Sequence, residues 1–140
     1  MAASKGVVIE YDTIPEFGAS KRPAIRIKFN PSQKQSFLCL LDSGADLSIF
    51  PLSIGNSMGI DFSECDPLES PPKQMMGDIN VRCYKKAVGV YGPWGNEPIY
   101  LEILWIDSRK VYQVLGRKGF FDKFREVSFC EGKKRIILRK

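Results

Sequence analysis

Histidine is absent from this sequence of 140 residues. Its absence removes the most frequent general base, the Ser–His and Cys–His nucleophile pairs, and the most frequent metal ligand. The four cysteines, Cys39, Cys65, Cys83 and Cys130, are widely spaced and form no CxxC pair, so we expect no zinc site. Any catalysis must therefore use carboxylates, lysines, tyrosines or cysteines, and no metal or cofactor is predicted.

Long apolar runs and a secretory leader pattern are also missing. The longest apolar stretches have the length of a strand, far below the roughly 20 residues of a membrane-spanning helix. No apolar segment follows residues 1–5, so no signal peptide is expected. An even number of cysteines leaves a secreted two-disulfide domain open, but Cys39 lies in an apolar strand pattern typical of a buried free thiol. We expect a cytoplasmic protein with no membrane contact.

The positive charge is modest and concentrated only near the end of the chain. The formal net charge is +5, and five basic residues fall within residues 133–140. A nucleic-acid surface is one interpretation of this cluster, and a solvated hairpin turn and tail is the one we favour. No segment resembles a groove-reading helix or an aromatic RNA platform, so no nucleic-acid partner is predicted. The length and ordinary composition indicate a single domain over residues 1–140.

Strand patterns dominate the sequence. Residues 24–29 alternate, with Ile25, Ile27 and Phe29 on one face and Arg26 and Lys28 on the other. Further strands are predicted over residues 6–11, 36–41, 47–50, 99–106, 127–130 and 135–138, with a hairpin over 74–91. Short helices are predicted over 52–58 and 117–124. The chain is therefore expected to be all-β with one or two short helices.

A single acidic motif, Asp42-Ser43-Gly44-Ala45, follows the apolar run at 37–41. A carboxylate delivered by a buried strand into a turn of small residues suits one half of a carboxyl pair that shares a proton and activates water. Because the motif occurs once, the second carboxylate would come from another copy of the chain. A simple Asx-turn that ends a strand is the alternative interpretation, since these residues are also common in turns.

The wider context of this motif resembles the retropepsin family of aspartic proteases. The resemblance is carried by Leu40-Leu41-Asp42-Ser43-Gly44-Ala45-Asp46 together with Val114-Leu115-Gly116-Arg117, and it extends over residues 25–138. It implies a closed acid-protease β-barrel with a short C-terminal helix, assembled as a symmetric homodimer. It also implies an aspartic endopeptidase that cleaves peptides or unfolded proteins.

The resemblance assigns roles to individual positions. Asp42, Ser43 and Gly44 match the catalytic turn, in which the serine occupies the hydroxyl position. Ala45 and Asp46 match positions beside the substrate. The segment containing Met76, Gly77 and Asp78 resembles the flap that closes over the substrate.

Two further positions match structural supports of the active-site loop. Gly116 corresponds to a glycine packed beneath the loops, and Arg117 to the partner of Asp46 in an ion pair. We expect that pair to be partly buried and bidentate.

The predicted dimer needs apolar strand edges besides the active-site turns. The ends Val7-Val8-Ile9 and Ile136-Ile137-Leu138 are suited to that role, because uncovered edge strands pair with other chains. An alternative function remains open at this stage: a catalytically silent dimer of the same fold that binds peptides or builds an assembly.

Overall fold

Short strands make up most of the structure. The computed structural model describes residues 6–68 and 81–140, in which there are eleven strands, one α-helix and two turns of 3-10 helix. The strands are β1 (Val7–Glu10), β2 (Asp12–Thr13), β3 (Lys21–Arg22), β4 (Ala24–Ile27), β5 (Phe37–Leu41), β6 (Ser48–Pro51), β7 (Cys83–Val90), β8 (Ile99–Ile106), β9 (Val114–Leu115), β10 (Glu126–Cys130) and β11 (Arg135–Arg139). The helix α1 is Leu52–Ser57, and the 3-10 turns are Pro15–Phe17 and Phe121–Lys123. The mostly β composition and the helix predicted near residue 52 are confirmed.

A six-stranded sheet with the order β4-β5-β9-β6-β8-β7 forms the centre of the fold. The pairs β5–β9 and β6–β8 are parallel, and the other neighbours are antiparallel. Because β5 and β9 run in the same direction, the residues that follow them, Asp42 and Gly116, leave the sheet at the same edge. This topology brings together the two motifs that lie far apart in the sequence.

Most of the core belongs to one cluster against this sheet, and a second, smaller cluster contains Ile49, Leu104 and Ile106. Ile25 and Ile27 of β4 are buried, whereas Arg26 between them is exposed. Phe50 of β6 and Trp105 of β8 are fully buried, with ring centroids 5.5 Å apart. Burying such large apolar side chains is the main source of stability for these short strands.

The sheet does not close into the predicted barrel. Its outer strands, β4 and β7, approach each other at a single bridge between Lys28 and Tyr91, whose backbone groups exchange two hydrogen bonds of 2.8 Å. Barrel closure needs a continuous ladder between the first and last strands. Pro93, two residues after Tyr91 and at the next hydrogen-bonding position of this antiparallel register, lacks the backbone N–H that would extend the pairing.

The predicted helix over residues 117–124 is also wrong in type and length. Only Phe121–Lys123 is helical, as one turn of 3-10 helix. Gly119 has a φ of 85°, in the left-handed region, which interrupts a right-handed helix. Phe120 and Phe124 are nevertheless buried, so their spacing reflects core packing of an irregular segment.

The apolar ends of the chain pair with each other in a three-stranded sheet. Strand β1 is antiparallel to β11, with Val7 opposite Leu138 and Ile9 opposite Ile136, in a sheet of order β1-β11-β10. Because β11 lies between β1 and β10, the prediction of an open edge is wrong for Ile136-Ile137-Leu138. Strand β1 is an outer strand of this sheet, so dimer pairing through Val7-Val8-Ile9 stays a prediction. Ile136 and Leu138 belong to the core, so pairing within the chain covers apolar surface that would otherwise face water.

Several other expectations are settled or lie outside the described residues. The second half of the predicted hairpin over 74–91 is β7, which pairs with β8, whereas Met76, Gly77 and Asp78 fall outside the described residues.

All four cysteines are free thiols. Burial raises the pKa of the Cys83 thiol to about 11 and that of the Cys39 thiol well above its ordinary value. No helix in the described part of the chain is long and apolar enough to cross a membrane.

Candidate active site

Asp42 is the first residue after β5, and the sheet still holds it. Its backbone N–H donates a hydrogen bond of 3.1 Å to the carbonyl oxygen of Leu115 on the parallel strand β9. Leu41, immediately before it, is buried and pairs with Leu115. The rigid strand therefore fixes the backbone from which the half-buried Asp42 side chain projects.

The turn after Asp42 orients its carboxylate. The N–H of Gly44 donates to Asp42 Oδ1 at 2.9 Å, and the N–H of Ala45 donates to the Asp42 carbonyl oxygen at 3.1 Å. This is Asx-type geometry, in which a side-chain oxygen accepts from the backbone two residues on. One carboxylate oxygen is thus held by the turn, which leaves the other available for chemistry. The Ser43 side chain is exposed at the same loop.

A second loop, residues 116–118, braces the first. The N–H of Arg117 donates to the Ala45 carbonyl oxygen at 2.9 Å, and the N–H of Lys118 donates to that of Asp46 at 2.8 Å. Both loops are thereby joined by backbone hydrogen bonds, which do not depend on the side chains of those residues. The structure brings together the predicted residues Asp42 to Asp46, Gly116 and Arg117.

Gly116 occupies a position that has no room for a side chain. A Cβ added there would collide with the Leu47 carbonyl group and would lie 2.8 Å from the carbonyl oxygen of Ala45. The Gly116 N–H donates to Oγ of Ser48 at 3.0 Å, and Ser48 is fully buried. The buried hydroxyl satisfies a backbone donor that would otherwise be desolvated without a partner.

The Asp46–Arg117 ion pair is present, but it is neither buried nor bidentate as predicted. One contact of 2.5 Å joins Arg117 Nη2 to Asp46 Oδ1, and the two side chains are 59% and 64% exposed. At this exposure water competes with each charge for its partner. An exposed pair of this kind contributes about 0–1 kcal/mol to stability.

We therefore expect Arg117→Ala to lower the free energy of unfolding by less than about 1 kcal/mol, because the remaining Asp46 carboxylate stays hydrated. Chemical denaturation measures this change. The control is Lys133→Ala, which removes the side chain of an exposed lysine in a turn. A loss of about 3 kcal/mol or more in Arg117→Ala alone is the signature of a buried pair and would contradict the exposed geometry.

The Asp42 carboxylate borders a cleft of about 240 Å³. Asp42 is the single carboxylate among its lining residues, and Ala45 forms part of the wall, whereas Asp46 does not. A larger groove of about 520 Å³ lies along β1 and β4 and includes no residue of the 42–46 loop. We assign the candidate chemistry to the smaller cleft because it contains the oriented carboxylate.

Within residues 6–68 and 81–140, no group of three or more Cys, Asp or Glu side chains is placed to hold a metal ion.

Three residues of this region were not predicted from the sequence. Ser48 gave a weak signal, as a polar residue in an otherwise apolar strand. Phe17 and Tyr112 line the Asp42 cleft although they lie far from Asp42 in the chain, and no local pattern marks them. The Tyr112 hydroxyl donates to the Leu38 carbonyl oxygen at 2.7 Å. Burial, assisted by the negative charge of Glu16, raises the pKa of Tyr112 to about 12, so this phenol remains a donor at ordinary pH.

The structure is similar to known proteins, although the sequence is not. No protein-family model matches the sequence, and no curated protein matches it. A retropepsin-like aspartic protease from Rickettsia conorii has a similar structure, with a TM-score of 0.65 and 12% sequence identity over 95% of this chain and 98% of that one. The EIAV protease complexed with the inhibitor HBY-793 aligns with a TM-score of 0.49 and 20% identity, over 74% of this chain and 88% of that one. The first of these similarities shows that the chain has a retropepsin-like fold, as the sequence motifs predicted.

Proposed function

We propose that this chain is an aspartic endopeptidase in which Asp42 and the Asp42 of a second copy form the catalytic pair. The observation that carries the proposal is the Asp42 carboxylate itself. It is oriented by the Gly44 N–H, braced through the 116–118 loop, and placed at the edge of a largely apolar cleft. The Rickettsia protease with a similar structure is described as an aspartic protease, which supports this class of reaction.

The proposed chemistry needs only the two carboxyl groups and water. Carboxyl groups about 3 Å apart cannot both ionise, so the pair shares one proton. The ionised member accepts a proton from water, which attacks the peptide carbonyl carbon, while the protonated member donates to the carbonyl oxygen. The substrate would be an extended peptide or an unfolded protein segment, because a folded chain does not present its backbone to such a cleft.

A second copy is required because one chain supplies one such carboxylate. A two-fold axis that passes beside the 42–46 loop would bring Asp42 next to its symmetry mate. The exposed Ser43 is placed in the same loop, where its hydroxyl can reach the partner loop and stiffen the pair. Val8 and Phe129, on the outer strands β1 and β10, are exposed apolar side chains that offer further contact area.

The proposal predicts that activity depends on association. Specific activity against an unfolded protein should rise with enzyme concentration and reach a plateau above the dimer dissociation constant. An excess of Asp42→Asn protein should suppress wild-type activity, because mixed dimers contain one competent carboxylate. Sedimentation velocity at the assay concentrations reports the mass of the active species.

The possible outcomes separate the two functions considered. A monomer that still cleaves, with no suppression by Asp42→Asn, would contradict the shared site. A stable dimer that binds unfolded protein without cleaving it at any pH would instead support the silent peptide-binding module.

A further inference from the structure

The groove of about 520 Å³ along β4 is separate from the Asp42 cleft, because the two share no lining residue. Its volume falls within the roughly 300–1,000 Å³ of ligand sites. The apolar part of its wall comes from β1, from the hairpin of β4 and β5, and from the segment after β7, and includes Ile9, Leu38, Tyr91 and Pro93. The groove therefore has the size and lining of a binding site, and the proposed catalysis does not use it.

The backbone of Arg26 in β4 faces this groove. In the antiparallel pair β4–β5, the Leu41 N–H donates to the Pro23 carbonyl oxygen at 2.9 Å. Hydrogen-bonded and non-bonded pairs alternate along such a ladder, so Ile25 and Ile27 are bonded to β5 and Arg26 between them is not. The N–H and carbonyl groups of Arg26 therefore point away from β5, toward the groove that this residue lines.

This edge of the chain is paired on either side of Arg26 but not at Arg26 itself. Arg22 lies opposite Asp12 at one end, and Lys28 exchanges two hydrogen bonds of 2.8 Å with Tyr91 at the other. In the described part of the chain, no backbone hydrogen bond joins Arg26 to a partner on this side. Because Arg26 is exposed, its free N–H and carbonyl groups can pair with an added strand.

Three of the four charged side chains in the groove are engaged within the chain. Arg135 Nε lies 3.0 Å from Glu10 Oε1, and Arg26 Nη2 lies 3.9 Å from Asp12 Oδ2. Lys28, which is half-buried, forms no ion pair with any residue in 6–68 or 81–140. The charge that the groove offers to a ligand is therefore positive, and it lies next to the unpaired backbone.

We propose that this groove binds an extended peptide segment that adds to the edge of β4 and places an acidic residue beside Lys28. The peptide residue opposite Arg26 exchanges two hydrogen bonds with it, as Tyr91 does with Lys28. The apolar wall around Ile9 and Pro93 then covers the neighbouring peptide side chains. This site goes beyond the proposed catalysis, since peptide binding here needs no cleavage. In an active enzyme it would hold a long substrate outside the Asp42 cleft.

The test begins with a displayed library of random octapeptides. Selection uses the full-length Asp42→Asn protein, so that turnover does not destroy the bound peptides. We expect the enriched peptides to share one acidic position next to β-branched residues, which favour an extended backbone. Fluorescence anisotropy of the enriched peptides then gives a dissociation constant for the same protein and for variants in the groove.

Two substitutions at one position separate the backbone of Arg26 from its side chain. Arg26→Pro removes the N–H that faces the groove, and β4 should still form because a proline is tolerated at an edge position that makes no ladder bond. We expect it to weaken peptide binding by roughly ten-fold, through the lost hydrogen bond and the bulk of the proline ring. Arg26→Ala retains the N–H and should weaken binding by no more than about two-fold.

A third substitution tests the charge. Lys28→Ala should weaken binding of the acidic peptides by about two- to five-fold, the scale of an exposed ion pair. It should have no such effect on the same peptides with the acidic residue replaced by its amide, because these have no charge to pair with Lys28.

Modified peptides repeat the backbone test without altering the protein, which also serves where Arg26→Pro does not fold. N-methylation of the peptide residue opposite Arg26 should weaken binding, and N-methylation of either neighbouring residue should not, because successive N–H groups of an extended strand point in opposite directions.

Loss of affinity in Arg26→Pro, or on N-methylation at that residue alone, would support strand addition. Peptides that bind Arg26→Pro and Arg26→Ala equally, with no effect of N-methylation, would overturn it, as would a library that yields no binding peptide. None of these readouts requires cleavage, so they leave the test of the endopeptidase independent.

Discussion

Asp42→Asn should abolish peptide cleavage while leaving the fold and the dimer intact. The asparagine amide oxygen can still accept the hydrogen bond from the Gly44 N–H, which is 2.9 Å from Asp42 Oδ1 in the native turn. A neutral amide cannot take a proton from water, so the chemical step should slow by about 10³-fold or more, the scale of a lost general acid–base group. Initial rates on an unfolded protein, with circular dichroism and sedimentation of the same samples, measure both effects.

Asp61→Asn is the matched control for this substitution. Oδ1 of Asp61 accepts the Ser63 N–H at 2.9 Å in the same two-residue arrangement, on an exposed loop. Hydrogen bonds from Ser63 lower the pKa of Asp61, so the control also removes a charge at neutral pH. We expect Asp61→Asn to retain wild-type activity and a chelator to have no effect on either protein. Undiminished cleavage by Asp42→Asn would rule out the proposed pair.

Gly116→Ala should be the most damaging of the single-methyl substitutions in the two active-site loops. Its Cβ would enter the space occupied by the backbone carbonyl groups of Leu47 and Ala45, and backbone atoms cannot move aside as a flexible side chain can. We expect a loss of about 1–3 kcal/mol or more in the free energy of unfolding. The displaced loop should also weaken the Ser48–Gly116 hydrogen bond, so activity should fall together with stability in the same variant.

The control for this effect is Gly132→Ala. No atom lies within 4 Å of a Cβ added at Gly132, and its φ is not positive, so the change should stay within about 0.5 kcal/mol of the wild type. Chemical denaturation of both variants gives the two values directly. Equal stability of Gly116→Ala and Gly132→Ala would show that the loops are less tightly packed than the structure indicates.

The sequence by itself was sufficient for the features that depend on near neighbours. The alternation around Ile25 and Ile27 correctly predicted a strand with one buried face. The Asp42 turn was predicted because small residues follow an apolar strand, and the Gly44 hydrogen bond confirms its local geometry. The short helix after Pro51 also formed as expected. These features arise from side-chain periodicity and turn chemistry, which operate over a few residues.

Other features could not be predicted because competing interactions have similar energies. The Phe residues between 117 and 124 have helical spacing, yet Gly119 adopts a positive φ and the rings pack into the core without a helix. The terminal strands were equally suited to pairing in one chain or between two, and they pair in one chain. The residue types of Asp46 and Arg117 likewise could not show whether their ion pair would be buried or exposed.

Only the tertiary structure placed Phe17 and Tyr112 beside Asp42 and gave Ser48 a partner in Gly116. Their separation in the sequence leaves no periodic signal, since Phe17 comes from the turn between β2 and β3, Tyr112 from the segment before β9, and Ser48 from β6. The chain therefore encodes its candidate catalytic residue locally, in one turn. The other residues of the cleft and the loop that supports Asp42 are brought to the site by contacts between distant parts of the sequence. Those contacts form only when the whole sheet forms.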